Sequence, residues 1–256
     1  MINIPIPKTI HYCWFGGNEK SELINTCIDS WKRFLPDYEI KEWNESNFDV
    51  ESCDYVKEAY GYHKWAFVSD YCRVWVLYKY GGVYFDTDVE IIRESDFFNY
   101  PTIAFENDKI LNPGLVLASE KEDWFCREML DSYQNDHFLV DGKMNFNTIC
   151  TRATEIFERK GLIVNNTCQQ VEGYKVYSSE YFNPKFGSKK GIDITHNTIA
   201  IHNFEGSWVD REAIKFFKLN WKGRLVYMLQ NVIGKNATNR ILKFMKEGRM
   251  WFKKQQ

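Results

Sequence analysis

The stretch from His63 to Glu90 constrains this 256-residue chain more than any other part of it. Residues 63–80 are predicted to form a long helix, with Ala66, Val68, Cys72, Val74, Val76 and Leu77 among its apolar positions. Their neighbours are apolar or aromatic on nearly every side, which suits a buried helix. Gly81 is its C-terminal stop. VYFD then reads as a strand and VEII as a further short extended piece, so the apolar run of the first strand ends in Asp86 and, two residues on, Asp88.

The same alternation continues on both sides. Residues 8–14 read as a buried strand broken by Gly16-Gly17. Residues 19–34 form a helix with Leu23, Ile24, Cys27, Ile28, Trp31 and Phe34 on one face. YEIKEW is a second strand, and a short helix is predicted near 52–60. TIAFEN and GLVLAS are two strands separated by the turn DKILNPG. Helices follow at 121–134 and 147–160, and TIAIHN at 198–203 is a late strand. Strands alternating with helices over 200 residues argue an α/β domain with mostly parallel strands.

Charge divides the chain. Residues 211–256 hold twelve Lys and Arg against two Glu, about +10, whereas residues 1–210 carry about −12. The tail carries apolar residues at helical spacing, from Ile214 and Phe217 to Met245 and Trp251. It is therefore predicted as a basic amphipathic helical extension (211–256) on an acidic domain (1–210). The seven cysteines show no zinc or disulfide spacing, which fits thiols in a reducing compartment. MINIPIPKTIHYCWFGG lacks the pattern of a signal peptide, and no apolar run is long enough to span a membrane. A cytoplasmic location is expected, with no nucleic-acid partner.

On a strand, positions i and i+2 project to one side, so Asp86 and Asp88 are expected to share a face at the carboxyl end of a strand. Two adjacent carboxylates repel unless a cation joins them. Mn²⁺ or Mg²⁺ would resolve that conflict and could hold a diphosphate. Asp70 and Arg73, three apart with Ser69 beside them, share a helical face. A solvated ion pair is the plain alternative, but a charged pair on a buried helix needs a further reason.

The block SDYCRVWVLYKYGGVYFDTDVE, with IPKTIHYCWFGG before it and SWKRFLPDYEIKEWNE between, resembles the glycosyltransferase family 32 sugar transferases. It also resembles the glucosyltransferase domain of large bacterial cytotoxins. The likeness covers about the first 90 residues and returns at IHNFEGSW, residues 201–208. It implies a single GT-A domain, Rossmann-like and nucleotide-sugar-binding, that uses a divalent metal. Carried over residue by residue, Trp14 would stack on the donor base, and Asp70 and Arg73, beside Ser69, would hold the donor sugar and diphosphate. Tyr84 and Asp86 would lie near the ribose and phosphate. Asp88 would be the direct metal ligand, with Asp86 beside it and His202 supplying a further one. Ser207 and Trp208 would close over the diphosphate. Asp70, Arg73, Asp86 and Asp88 form the implied catalytic set. The Gly-Pro segment usual between the two motifs is not visible, and NFNTICTRATEIF stands in its place.

The resemblance further implies retaining transfer of a hexose, from a UDP-sugar in preference to GDP. The acceptor would be a saccharide or lipid-linked saccharide in bacterial surface polysaccharide (capsule) synthesis. The basic tail would then meet anionic lipid as a peripheral membrane anchor, or else pack on the domain or form a homo-oligomer interface. Two rivals come from other classes. A D-x-D phosphohydrolase would need a second acidic cluster, and this chain has no Asp-Asp pair. A metal-dependent lectin suits the aromatic content but has no need for Asp70 and Arg73 as a diphosphate clamp.

Overall fold

A computed structural model describes residues 5–145, 147–184 and 192–205. Ser207, Trp208 and the whole extension predicted at 211–256 lie outside the described residues. In chain order the elements are β1 (Thr9–Cys13), α1 (Glu22–Phe34), β2 (Glu39–Trp43), α2 (Asp54–Gly61), α3 (Trp65–Tyr80), β3 (Gly82–Tyr84) and β4 (Val89–Ile91). Next come a 3-10 turn (Phe97–Asn99), β5 (Thr102–Ala104), β6 (Leu117–Ser119), α4 (Trp124–Tyr133), β7 (Leu139–Val140) and β8 (Lys143–Met144). The series ends with α5 (Ile149–Arg159), β9 (Gln169–Val171), β10 (Tyr174–Tyr177), α6 (Ser179–Phe182) and β11 (Ala200–His202).

Among the described residues, seven strands form one sheet in the order β2-β1-β3-β6-β5-β10-β9. The pairings β1–β2, β1–β3 and β5–β10 are parallel, and those of β6 and β9 with their neighbours are antiparallel. Five strands therefore run one way and β6 and β9 the other, which is the α/β class with the mostly parallel sheet expected. The β9–β10 hairpin has no counterpart in the pattern reading. It turns through Glu172 and Gly173, both at positive φ.

Side chains leave the sheet alternately, as strand geometry requires. Cys13, Tyr84, Ile103, Leu117 and Val176 enter one buried cluster with residues of α2, α3, α4 and α5. Ile10, Tyr12, Val83, Ala104, Ala118 and Tyr177 enter a second, with residues of α1, α6, β4 and β11. The sheet is thus covered on both faces.

Helix α3 lies in the first cluster, with Val68, Cys72, Val74, Val76 and Leu77 all inaccessible to solvent. Its end is sharp: Gly81 takes φ +65° and donates its N–H to the Leu77 carbonyl at 2.7 Å. At Gly82, φ is +111° and a Cβ would stand 2.6 Å from the Thr9 carbonyl oxygen, so both positions demand glycine. That pair lets the chain leave α3 and enter β3 directly beside β1.

Candidate active site

Strand β3 ends at Tyr84, two residues before Asp86. Asp86 to Val89 form a tight turn in which the Val89 N–H donates to the Asp86 carbonyl at 3.1 Å, and β4 begins at once. The expected common strand face of Asp86 and Asp88 is therefore corrected: a turn, not a strand, carries both residues, and it sends their carboxylates to different partners. Strand β4 is clamped on two sides. It pairs with β11, placing Val89 opposite His202. From α1, the buried Trp31 indole N–H donates to the Val89 carbonyl at 2.7 Å and Ser30 Oγ accepts the Ile91 N–H at 2.9 Å.

Asp86 faces Arg73. The guanidinium of Arg73 lies 3.1 Å from Asp86 Oδ1 and 3.4 Å from Oδ2, and 2.9 Å from Asp70 Oδ1. Its Nε–H reaches back to the Ser69 carbonyl at 3.3 Å, and its plane stands over the Tyr84 ring at 4.8 Å. The Tyr84 hydroxyl donates to Asp86 Oδ1 at 3.2 Å, so this buried tyrosine reaches the site through Asp86. Burial pushes the Asp70 carboxyl up to about 6, a rise that Arg73 opposes and Asp86 reinforces. Burial alone would lower Arg73, but the Asp86, Tyr84 and Asp70 charges hold it well above its ordinary range.

Asp88 faces His202. Their Oδ1 and Nε2 atoms are 3.3 Å apart, and Asp88 Oδ2 accepts the Glu205 backbone N–H at 2.9 Å. Burial would raise Asp88, but His202 and that backbone bond outweigh it and hold the carboxyl below its usual range. His202 moves the other way: burial would lower it, and the Asp88 carboxylate, followed by the Asp86 and Glu106 charges, raises it. Trp14 follows β1 at the same sheet edge, with its indole N–H on the Asn18 carbonyl at 2.7 Å and Lys20 Nζ at 5.5 Å from its ring.

Two further site residues, Asn112 and Gly114, fall in the sequence within the turn DKILNPG, with Gly114 also opening the strand GLVLAS. Gly114 presses on the ion pair, since a Cβ there would fall 1.8 Å from Asp86 Oδ2 and 2.8 Å from Arg73 Nη1. Its carbonyl accepts the Asp86 N–H at 2.8 Å, and its own N–H donates to Asn112 Oδ1 at 2.7 Å. The one local signal was Pro113-Gly114 placed just before a strand.

Among the described residues, no three His, Cys, Asp or Glu side chains gather around a single point. Asp86, Asp88 and His202 therefore do not form a ready three-ligand set, because Arg73 engages both oxygens of Asp86. The donors nonetheless suit a hard divalent ion. Asp88 is held ionised, His202 is adjacent, and its buried Nδ1 lacks a partner among the described residues. An ion that keeps waters and substrate phosphates needs only one or two protein donors.

Residues 21–108 match the family described as a glycosyltransferase sugar-binding region containing a DXD motif. That segment holds Asp70, Arg73, Asp86 and Asp88. The chain is also 34% identical over 104 residues to inositol phosphoceramide mannosyltransferase 3 of Schizosaccharomyces pombe (strain 972 / ATCC 24843). The alignment covers 38% of this chain and 28% of that relative. Two solved structures resemble the chain. One is the PaToxG glycosyltransferase, with TM-score 0.41 and 22% identity over 50% of this chain and 60% of that one. The other is a glycosyltransferase involved in the glycosylation of the major capsid of PBCV-1, with TM-score 0.39 and 14% identity over 68% and 84%.

Proposed function

We propose that the chain is a metal-dependent glycosyltransferase of GT-A type. It would move a hexose from a nucleotide-sugar, UDP-linked in preference to GDP-linked, to a saccharide or lipid-linked saccharide. The observation that supports this best is Arg73, buried between Asp70 and Asp86, inside the segment matching the DXD family. A guanidinium fixed by two carboxylates and a tyrosine face is rigid and desolvated. It offers a fixed positive charge where a diphosphate departs, and such charge is worth most in a water-poor site. Asp70 and Asp86 are hydrogen-bond acceptors that suit sugar hydroxyls. Asp88 and His202 would hold Mn²⁺ or Mg²⁺, with Asp86 beside them; when bound, that ion supplies Lewis-acid neutralisation of the diphosphate.

Trp14 would stack the nucleobase from the carboxyl end of β1, and Ser207 with Trp208 would close over the diphosphate. Transfer breaks the bond between the anomeric carbon and the diphosphate oxygen, which leaves as nucleoside diphosphate, and joins that carbon to an acceptor oxygen, whose proton passes to the departing diphosphate or to water. Retention of configuration is part of the proposal, as is a role in bacterial surface polysaccharide synthesis at the cytoplasmic face of the membrane. Anchoring there would fall to residues 211–256. Among the described residues no helix is long and apolar enough to cross a membrane.

Release of nucleoside diphosphate from a panel of nucleotide-sugars, with Mn²⁺ and with EDTA, tests the reading. It also separates a transferase from a lectin, which releases none. Asp88→Asn should abolish release and leave thermal unfolding within a few degrees of wild type. Full activity in that variant or in EDTA would end the metal-dependent proposal.

A further inference from the structure

Strands β3 and β5 run the same way on either side of β6, so their carboxyl ends lie on one edge of the sheet. Both lead into carboxylates, Asp86 after β3 and Glu106 after β5. The strand ends stand about 9–10 Å apart, two strand spacings. That gap suits one sugar ring with a hydrogen bond at each side.

Glu106 is held in place. Asn112 Nδ2 donates to its Oε2 at 2.9 Å, and Asn112 Oδ1 accepts the Gly114 N–H, whose carbonyl in turn accepts the Asp86 N–H. Its own backbone is pinned by a bond from Glu106 N to the Ile110 carbonyl at 2.9 Å and one from Asn183 Nδ2 to the Glu106 carbonyl at 3.0 Å. A continuous hydrogen-bonded path thus fixes Glu106 relative to the D-x-D turn. Asn183 Oδ1, at the same end of the sheet, is buried without a partner among the described residues.

We propose that Glu106 accepts hydrogen bonds from hydroxyls of the transferred sugar and makes the site selective for neutral hexoses over hexuronates. This inference rests on the transferase reading above. Asp70, Asp86 and Glu106 present oxygen acceptors, and a hexose presents hydroxyl donors at several positions of its ring. A hexuronate keeps the ring hydroxyls but replaces the C6 hydroxyl donor by a carboxylate near like charges, a repulsive element of the kind that sets specificity.

The test compares the full chain with Glu106→Ala and Glu106→Gln. The probes are UDP-glucose, UDP-galactose, GDP-mannose, UDP-glucuronate, UDP and GDP, all with Mn²⁺. Calorimetric affinity and kcat/KM for diphosphate release are both measured. Glu106→Ala should lose about tenfold or more in affinity for the preferred nucleotide-hexose, the size expected for one charged hydrogen bond. Affinity for the free nucleoside diphosphate should change less than about twofold, since Glu106 does not face it. Glu106→Gln, which can still accept from Asn112, should narrow discrimination against UDP-glucuronate by about tenfold.

Nucleotide-hexose affinity in Glu106→Ala within about twofold of wild type would overturn the assignment. So would an equal loss for the free diphosphate, which would mark Glu106 as a scaffold for Asn112 and Gly114. A wild type that binds these nucleotide-sugars without releasing diphosphate would overturn the transferase reading alone. A wild type that binds none of them overturns both.

Discussion

His11 shows what one buried side chain does to the response of this protein to acid. It lies on β1 with both ring nitrogens engaged: Nε2–H donates to the Gly81 carbonyl at 2.9 Å, and Nδ1 accepts the Trp43 indole N–H at 3.0 Å. A second ring proton would meet that indole N–H head-on. Burial lowers His11 from 6.5 to about 4; the Gly81 bond opposes this and the Lys41 charge adds to it. Below pH 6.5 the unfolded chain takes up a proton that the folded chain refuses until about 4, so His11 removes stability as pH falls through that window. The loss is about 2 kcal/mol by pH 5 and about 3 at the end of the window. Asp70, raised to about 6, has the opposite sign: the folded state takes the proton first and gains stability as pH falls from about 6 towards 4. The two partly cancel in the wild type, so the measurement compares it with His11→Gln by urea unfolding at pH 7.5 and 5. The stability of the wild type relative to the variant should drop by about 2 kcal/mol between those pH values. A difference that does not move with pH would contradict the neutral, fully bonded ring.

Between elements, the segment joining β5 to β6 acts as the floor of the site. Gly114 packs so closely on Asp86 and Arg73 that a single methyl group must displace one of them. Gly114→Ala should therefore reduce diphosphate release by on the order of 100-fold, the effect of roughly an ångström of misplacement. It should lower stability by only about 1–3 kcal/mol, as overpacking does. Gly61→Ala is the control: nothing lies within 4 Å of a Cβ there, and α2 should gain up to about 1 kcal/mol. Activity retained in Gly114→Ala would mean that this segment moves aside and does not fix the ion pair. The same contact explains why Pro113-Gly114 looked like an ordinary turn in one dimension. Its importance comes from Asp86 and Arg73, which lie 28 and 41 residues away in sequence.

For the whole molecule, the outstanding element is the basic stretch 211–256, which lies outside the described residues. Its excess of Lys and Arg over Glu and its helical apolar spacing motivate the proposed membrane contact. At roughly 1 kcal/mol per basic residue near an anionic surface, a few engaged side chains suffice for binding at low salt. The full chain should sediment with phosphatidylserine vesicles at low ionic strength and be released as salt rises. A chain ending at Asp210 should stay in solution. Equal behaviour of the two chains would remove the membrane contact from the proposal and leave the transfer chemistry untouched.

The sequence by itself determined the elements whose cause is local. The apolar run of α3, its stop at Gly81, the facing of α1 and the α/β alternation follow from periodicity and backbone freedom, and these operate within a few residues. It also marked Asp70 and Arg73 as a buried pair, because their neighbours are apolar on nearly every side. Short strands such as β9 and β10 were not legible: three or four residues carry too little periodicity, and their pairing with β5 and each other supplies what local preference lacks. Tertiary structure alone decided the division of labour in the D-x-D. Asp86 and Asp88 are alike in sequence, but β3 ends at Tyr84, and Trp31, Ser30 and β11 hold β4 so that the turn aims one carboxylate at Arg73 and the other at His202. The same long-range packing brought Asn112, Gly114 and Glu106 to that edge, since a hydrogen bond or a van der Waals contact depends on distance in space and not on separation along the chain.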